Sequence, residues 1–198
     1  WGVILASFFI DPIWWLFVGW LPLYLNETYG FGVAEIAVYA WIPYVGAMFG
    51  AWFGGLLARN RIKSGWTVNK TRKFVIGLGG LIMLVALLTT VKAATPLLAV
   101  MLMAVILFGF QTAIGNIQTL PSDFYSGKSV ASLAGFAGTA AKLAVVGLNF
   151  LIPIITVNSY GPAFAVGAGL AIFSVLSVWI FCTDIKPLKP RTSKLSNS

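Results

Sequence analysis

Histidine is absent from this 198-residue sequence, and cysteine occurs once, as Cys182. The lack of histidine removes most metal chemistry and most Ser–His or Cys–His catalysis. A single cysteine excludes an intrachain disulfide and offers no zinc-ligand spacing. Charge is also scarce, at 9% of the residues against about 25% in a typical soluble domain. We therefore expect no metal, no cofactor and no enzymatic activity.

Apolar residues are abundant instead and make up 59% of the chain. A soluble protein of this composition would expose far too much apolar surface to water. The sequence predicts an all-α membrane protein whose six transmembrane helices form one bundle over residues 1–183, followed by a cytoplasmic polar tail over residues 184–198. Each span has about 20 residues, the length that crosses a hydrocarbon core of about 30 Å. The expected spans are residues 2–25, 34–58, 74–91, 96–119, 129–157 and 161–182.

One basic segment, residues 54–73, orients the chain. It holds six of the 13 Lys and Arg residues and no acid. Short loops rich in Lys and Arg are strongly biased to the cytoplasm. On that assignment eleven basic residues lie on the cytoplasmic side, and only Lys92 lies in a loop on the other side. We expect both ends to be cytoplasmic, at the inner (plasma) membrane. The loops lack the interleaved aromatic residues of a nucleic-acid site.

The same assignment gives the first three spans and the last three spans opposite orientations. This arrangement is what an inverted-topology repeat produces. Residue-level similarity between the two groups is not evident. The second span also carries Gly46, Gly50 and Gly54 at four-residue spacing. That spacing puts them on one helix face and permits close approach of another helix.

Two charged residues lie inside apolar spans, Asp11 in the first and Lys142 in the fifth. Helix rise allows them to lie at similar depth, and an unpaired charge at mid-bilayer is costly. One hypothesis is an ion pair that holds two helices in register, and another has Asp11 capping a helix at a break before Pro12. A third gives Lys142 an anionic substrate, with Asn149 and Gln111 supplying directional hydrogen bonds.

Polar stripes in the fourth and fifth spans leave two interpretations open. They are either interhelical hydrogen-bonding surfaces or the walls of a cavity. The cavity interpretation gives a set of candidate substrate-binding residues, with Asp11 reserved for ion coupling or a structural ion pair. The candidates are Lys142, Asn149, Gln111, Asn116, Trp14 and Trp15.

Four stretches carry a family resemblance. They are residues 11–25, with the run DPIWW followed by WLPLYL; the YGF at residues 29–31; residues 54–73, with GGLL and GWTVNKTRK; and the PSDF at residues 121–124. The chain resembles the C-terminal six-helix half of a major facilitator superfamily transporter. Within that superfamily it is most similar to the anion:cation symporter branch and its hexuronate-transporter-type members. Arg59 stands where the family's loop motif usually has an acid.

The resemblance implies proton-coupled uptake of a sugar acid, such as a hexuronate or an aldonate, by alternating access. Its partners would be the small anionic substrate, the proton, the lipid bilayer and an N-terminal six-helix half. We accordingly interpret the chain as the C-terminal part of a longer protein. In the family the proton-carrying residues lie mainly in the other half, so Lys142 and Asp11 are inferences from this sequence alone.

Two other functions are compatible with six spans. The first is a channel or small six-span transporter subunit that oligomerises to form a pore. The second is an intramembrane enzyme, which the missing histidine and the lack of any nucleophile–base spacing disfavour.

Overall fold

The computed structural model describes residues 1–187, and most of the expected polar tail, residues 188–198, lies outside the described residues. Six segments are long and apolar enough to cross a membrane, with α2 and α3 counted together as one span, and residues 1–187 contain no strand. The predicted six-span helical fold is confirmed. The helices are α1 (Gly2–Tyr29), α2 (Val33–Tyr39), α3 (Ile42–Lys63), α4 (Val68–Thr90), α5 (Pro96–Phe124), α6 (Lys128–Ile155) and α7 (Gly161–Phe181).

The expected second span, residues 34–58, is not one continuous helix. The helix breaks between α2 and α3, and Pro43 occupies the first turn of α3. Proline has no N–H to donate to the carbonyl four residues back, so the ladder is interrupted there. Beyond this break α3 continues to Lys63, five residues past the expected end.

The basic segment is more helical than the sequence indicated. α4 begins at Val68 rather than at residue 74, because the Thr67 hydroxyl accepts a hydrogen bond from the Lys70 N–H (3.2 Å) and caps the helix. α5 runs to Phe124 rather than ending at residue 119, with Pro121 inside it. Arg72 and Asp123 therefore project from the ends of two helices.

The helices pack with an internal symmetry. The most extensive interfaces are α3–α5, α4–α5, α1–α6, α1–α7 and α4–α7. Exchanging α1 with α5, α3 with α6 and α4 with α7 converts α1–α6 into α3–α5 and α1–α7 into α4–α5, and leaves α4–α7 unchanged. We call α1, α3 and α4 the first triplet, and α5, α6 and α7 the second triplet. This exchange pattern is the one that two repeated three-helix units produce.

Glycines of α3 form a close seam with α5. A Cβ atom added at Gly46 or Gly50 would overlap the backbone of Ala104 or Phe108, and one at Gly54 would lie 2.8 Å from the Thr112 carbonyl oxygen. The predicted glycine face of the second span therefore lies against α5 at backbone distance. The Thr112 hydroxyl also donates a hydrogen bond to the Gly50 carbonyl oxygen (3.1 Å).

Candidate functional site

A cleft of about 390 Å³ lies between α1, α5 and α6. Its floor is apolar, with Ile114 and Ile117 of α5, and small residues of α6 keep it open. Four of its lining residues carry polar side chains. They are Ser7, Asp11, Gln118 and Lys142. We call this cleft, defined by those four residues, the α1–α6 cleft.

Asp11 and Lys142 are paired in this cleft. The Lys142 ammonium donates to Asp11 Oδ2 over 2.5 Å and lies 5.1 Å from the centre of the Trp15 ring. The side chains are 19% exposed for Asp11 and 59% exposed for Lys142. α1 is continuous through Asp11 and Pro12, so Asp11 caps no helix. The cation has a carboxylate and an aromatic face as neighbours and still has open space on one side.

Asn149 lies two helical turns beyond Lys142 on α6. Its Oδ1 accepts a long hydrogen bond from Trp20 Nε1 (3.4 Å), and its amide donates to the Val145 carbonyl (3.0 Å). This pairing places a second polar link between α1 and α6. Trp20 was visible in the sequence as part of an aromatic cluster, but nothing in the pattern of α1 singled it out as the partner of Asn149.

The adjacent tryptophans of α1 have different surroundings. Trp14 is partly buried, and its ring lies 5.8 Å from the Tyr44 ring and 5.5 Å from the Phe110 ring. Trp15 is 39% exposed and faces the Lys142 ammonium. The structure thus brings Trp15 to Lys142 and packs Trp14 against Tyr44 of α3 and Phe110 of α5.

Gln111 and Asn116 lie elsewhere. Both line a separate cleft of about 320 Å³ between α3 and α5, together with Arg59 and Arg72. Asn116 is only 3% exposed, and its Oδ1 accepts from Arg72 Nη1 (2.8 Å) while its amide donates to the Thr112 carbonyl. The structure therefore does not bring Gln111 or Asn116 together with Lys142.

Arg72 and Asp123 form a second ion pair, which sequence reasoning missed. Arg72 Nε donates to Asp123 Oδ2 over 2.8 Å, and Nη2 lies 3.4 Å from Oδ1. Both side chains are mostly buried, at 15% and 17% exposure. One signal was available: Asp123 is the only acid between Glu35 and Asp184, and it follows an apolar span that ends on the side of the basic segment.

The end of the bundle opposite the basic segment has a cleft of about 430 Å³. The Tyr160 hydroxyl donates to Glu27 Oε2 (2.7 Å), and Tyr29 donates to the Ala93 carbonyl (3.1 Å). Burial, followed by this bond to Glu27, raises the pKa of Tyr160, so it stays a donor at neutral pH. Because its lining includes Glu27 and no cation among residues 1–187, this cleft is a poor site for an anion.

No group of three His, Cys, Asp or Glu residues within the described part of the chain is arranged to hold a metal ion. The polar residues of the α1–α6 cleft offer one cation, one carboxylate, a hydroxyl and an amide. This combination suits recognition of a polar anion by charge and hydrogen bonds. It includes no nucleophile–base pair of the kind that covalent catalysis requires.

Six segments that are long and apolar enough to cross a membrane, arranged in two exchangeable triplets, define a multi-pass membrane protein. The family model of the Major Facilitator Superfamily matches residues 1–148. The chain belongs to that superfamily, as the sequence resemblance predicted.

Individual relatives narrow the comparison. The chain is 32% identical over 186 residues to the hexuronate transporter of Escherichia coli (strain K12), an alignment that covers 90% of this chain and 42% of the relative. It is 38% identical over 87 residues to the galacturonate transporter of Dickeya chrysanthemi, covering 42% of this chain and 25% of that protein. It is 23% identical over 190 residues to the D-galactonate transporter of Escherichia coli O6:H1, covering 93% of this chain and 43% of the relative.

The chain spans less than half the length of the curated relatives it matches. The family and these relatives are transporters rather than enzymes. These three relatives are all named as transporters of an organic anion, and each name gives a different sugar acid.

Proposed function

We propose that this chain forms one half of a secondary active transporter that moves a sugar acid, such as a hexuronate or an aldonate, by proton symport with alternating access. The observation that carries the proposal is the Asp11–Lys142 pair, which lines the cleft between α1, α5 and α6 and leaves the Lys142 side chain 59% exposed. Charged groups within spans are costly and are retained where they face a cavity or a partner. The relatives named for uronates and galactonate support the substrate class.

Lys142 is the proposed contact for the substrate carboxylate. Its ammonium is partly exposed, and Trp15 holds it from one side, so a second carboxylate has room to approach. In surroundings of low dielectric constant such a charge pair is much stronger than in water. Trp15 lies against Lys142, and Asn149 lies two turns farther along α6; both are proposed to contact the sugar. Gln111, Asn116 and Trp14 lie away from Lys142, and we assign them no contact with the substrate.

Asp11 is the proposed coupling group. A substrate carboxylate that takes over the Lys142 ammonium leaves Asp11 without its cation. Two carboxylates that compete for one ammonium repel each other, and a proton shared between them relieves that repulsion. Binding of the anion and binding of a proton therefore support each other, which is the requirement for symport.

The proposed setting is the inner (plasma) membrane, with both ends of this segment in the cytoplasm. The excess of Lys and Arg on the side of the α3–α4 connection supports this orientation. A second six-helix unit, preceding this segment in a longer protein, would cover the α1–α6 cleft. The two units would then rock about the site to expose it to each side in turn.

The test is uptake of radiolabelled glucuronate by the full-length transporter in proteoliposomes. We expect Lys142→Ala to reduce uptake at least about tenfold, which corresponds to losing one charge-assisted hydrogen bond, with much less effect on expression. Asp11→Asn should abolish proton-driven accumulation and leave counterflow exchange in place. Lys92→Ala, which removes the loop cation on the other side, is the matched control and should transport normally.

Normal uptake by Lys142→Ala would contradict the substrate role of Lys142. Proton-driven accumulation by Asp11→Asn would contradict the coupling role of Asp11. The same liposomes separate the pore alternative, because a channel subunit would dissipate an imposed ion gradient without added substrate.

A further inference from the structure

The α3–α4 connection folds into a compact basic turn. The Gly65 backbone has φ of +90°, and the Trp66 N–H donates back to the Arg61 carbonyl (3.1 Å). The Ser64 hydroxyl donates to the same carbonyl (2.9 Å). Thr67 then caps α4. The turn thereby returns the Trp66 ring to the last turn of α3.

The ring of Trp66 holds two cations in place. The Arg61 guanidinium carbon lies 4.9 Å from the ring centre, and the Lys70 ammonium lies 4.2 Å from it. Phe74 packs edge-on against the same ring, with the centroids 5.4 Å apart. Attraction of cations to an aromatic face fixes two long side chains that would otherwise be mobile. We call Arg61, Trp66 and Lys70 the Trp66 clamp.

Within residues 1–187, no ion pair neutralises the positive charge of the clamp. No acid occurs between Glu35 and Asp123, and Asp123 is bonded to Arg72. Among residues 1–187, no carboxylate forms a salt bridge with Arg61, Lys63 or Lys70. Several like charges in one short turn repel one another, so a bound anion would stabilise the arrangement.

The position of the clamp identifies the anion. It lies where two membrane-spanning helices end, which is the level of the lipid headgroups. The end of α3 next to it carries exposed apolar side chains, with Leu56 at 55% and Ile62 at 39%. A ligand that contacts both the Trp66 clamp and the exposed apolar side chains of α3 needs an anionic head and an apolar tail.

We infer that the Trp66 clamp is a binding site for the headgroup of an anionic phospholipid, whose acyl chains lie along α3. Clusters of Lys and Arg next to a membrane span bind anionic lipid by charge. The clamp adds to this a fixed geometry, since both cations lie on one ring. The site is independent of the sugar-acid cleft and of the proposed transport function.

The experiment measures lipid retention by the full-length protein in nanodiscs of two parts phosphatidylcholine to one part phosphatidylglycerol, read by native mass spectrometry. We expect the wild type to retain phosphatidylglycerol selectively. The variant Arg61→Gln/Lys70→Gln should lose roughly fivefold in selectivity for each cation removed. It keeps Arg59, Lys63, Arg72 and Lys73, so its orientation in the membrane should be preserved. Lys92→Gln is the control and should retain the lipid.

A second pair of variants removes no charge. Gly65→Ala forces a side chain into the left-handed backbone region and should weaken phosphatidylglycerol retention by opening the turn. Gly55→Ala lies in α3 with no atom near its added Cβ and should behave as wild type.

Equal phosphatidylglycerol retention by wild type and the Arg61→Gln/Lys70→Gln variant would overturn the inference. Displacement of the lipid by millimolar inorganic phosphate would overturn it too, because the clamp would then be a site for the free anion.

Discussion

The α3–α5 and α1–α6 interfaces both join the first triplet to the second and are exchanged by the internal symmetry, yet their chemistry differs. At α3–α5, Gly46, Gly50 and Gly54 lie against backbone atoms of α5. At α1–α6 the links are made by side chains: the Asp11–Lys142 pair and the Trp20–Asn149 hydrogen bond. Gly135 and Gly138 of α6 have open space where a Cβ would lie.

Glycine therefore has two different uses in these helices. In α3 it removes side chains so that two backbones can touch, and dispersion contacts hold them together. In α6 it leaves room next to a charge. The first arrangement fixes two helices at one distance, whereas the second keeps a space into which a ligand fits. The predictions below test this contrast.

The largest difference is expected between Gly50→Ala and Gly138→Ala. The methyl group at position 50 would overlap the backbone of Phe108, which has no flexible end that can move aside. We expect Gly50→Ala to lower the free energy of unfolding by about 1–3 kcal/mol, as overpacking does, or to prevent folding. Gly138→Ala should be as stable as wild type. Unfolding of the full-length protein in mixed micelles measures both, and equal stability of the two variants would remove the contrast.

The two ion pairs should differ in the same assay. Arg72→Ala leaves the Asp123 carboxylate and the Asn116 side-chain Oδ1 without the Arg72 donor, in a site where both members of the ion pair are less than a fifth exposed. We expect the free energy of unfolding to fall by about 2 kcal/mol, which is less than the 3–5 kcal/mol lost when a fully buried pair is broken. Lys142→Ala should cost less than Arg72→Ala, because Lys142 makes one hydrogen bond, to Asp11, whereas Arg72 makes three, to Asp123 and Asn116.

Adding Asp123→Ala to Arg72→Ala provides the control, because it removes the stranded carboxylate and should restore part of the lost stability. A larger loss for Lys142→Ala than for Arg72→Ala would mean that the α1–α6 pair is the main structural tie.

The sequence predicted those features that a single helix determines. Apolar length located six spans, and the four-residue spacing of Gly46, Gly50 and Gly54 located the face of close approach. The Asp11–Lys142 pair could be listed as an alternative because an apolar span offers so few charges to choose from. Because the rise per residue of a helix is fixed, the sequence alone placed Asp11 and Lys142 at similar depth in the membrane.

Features that depend on which helix is the neighbour were not predictable. Helical spacing puts Gln111 and Asn116 on adjoining faces of α5, but it does not say which helix each face meets. The structure has Asn116 against Arg72 of α4, so its amide serves the ion pair. The Arg72–Asp123 pair itself depends on α4 and α5 extending past the apolar runs, which the Thr67 cap and the helical Pro121 turn allow.

Thr112→Val tests the polar contribution to the α3–α5 seam. The Thr112 hydroxyl has one proton and lies within bonding distance of both the Gly50 and the Phe108 carbonyls. Loss of the Thr112 hydroxyl should lower the free energy of unfolding by about 0.6 kcal/mol, the average for a hydrogen bond between membrane helices. Thr139→Val is the matched control on exposed α6 and should cost nothing. A loss as large as that of Gly50→Ala would show that the seam depends on hydrogen bonding more than on close backbone contact.

Trp20→Phe is expected to have the smallest effect. The Trp20–Asn149 bond is 3.4 Å long and exposed, so its loss should cost little, and the Asn149 amide nitrogen keeps its own bond to the Val145 carbonyl. A double-mutant cycle of Trp20→Phe with Asn149→Leu should give a coupling energy below about 0.6 kcal/mol. A value well above that would mean that side-chain hydrogen bonds close the α1–α6 interface as firmly as glycine closes α3–α5. The space beside Lys142 would then be a packing gap between fixed helices, and the difference between the two interfaces would have no bearing on ligand binding.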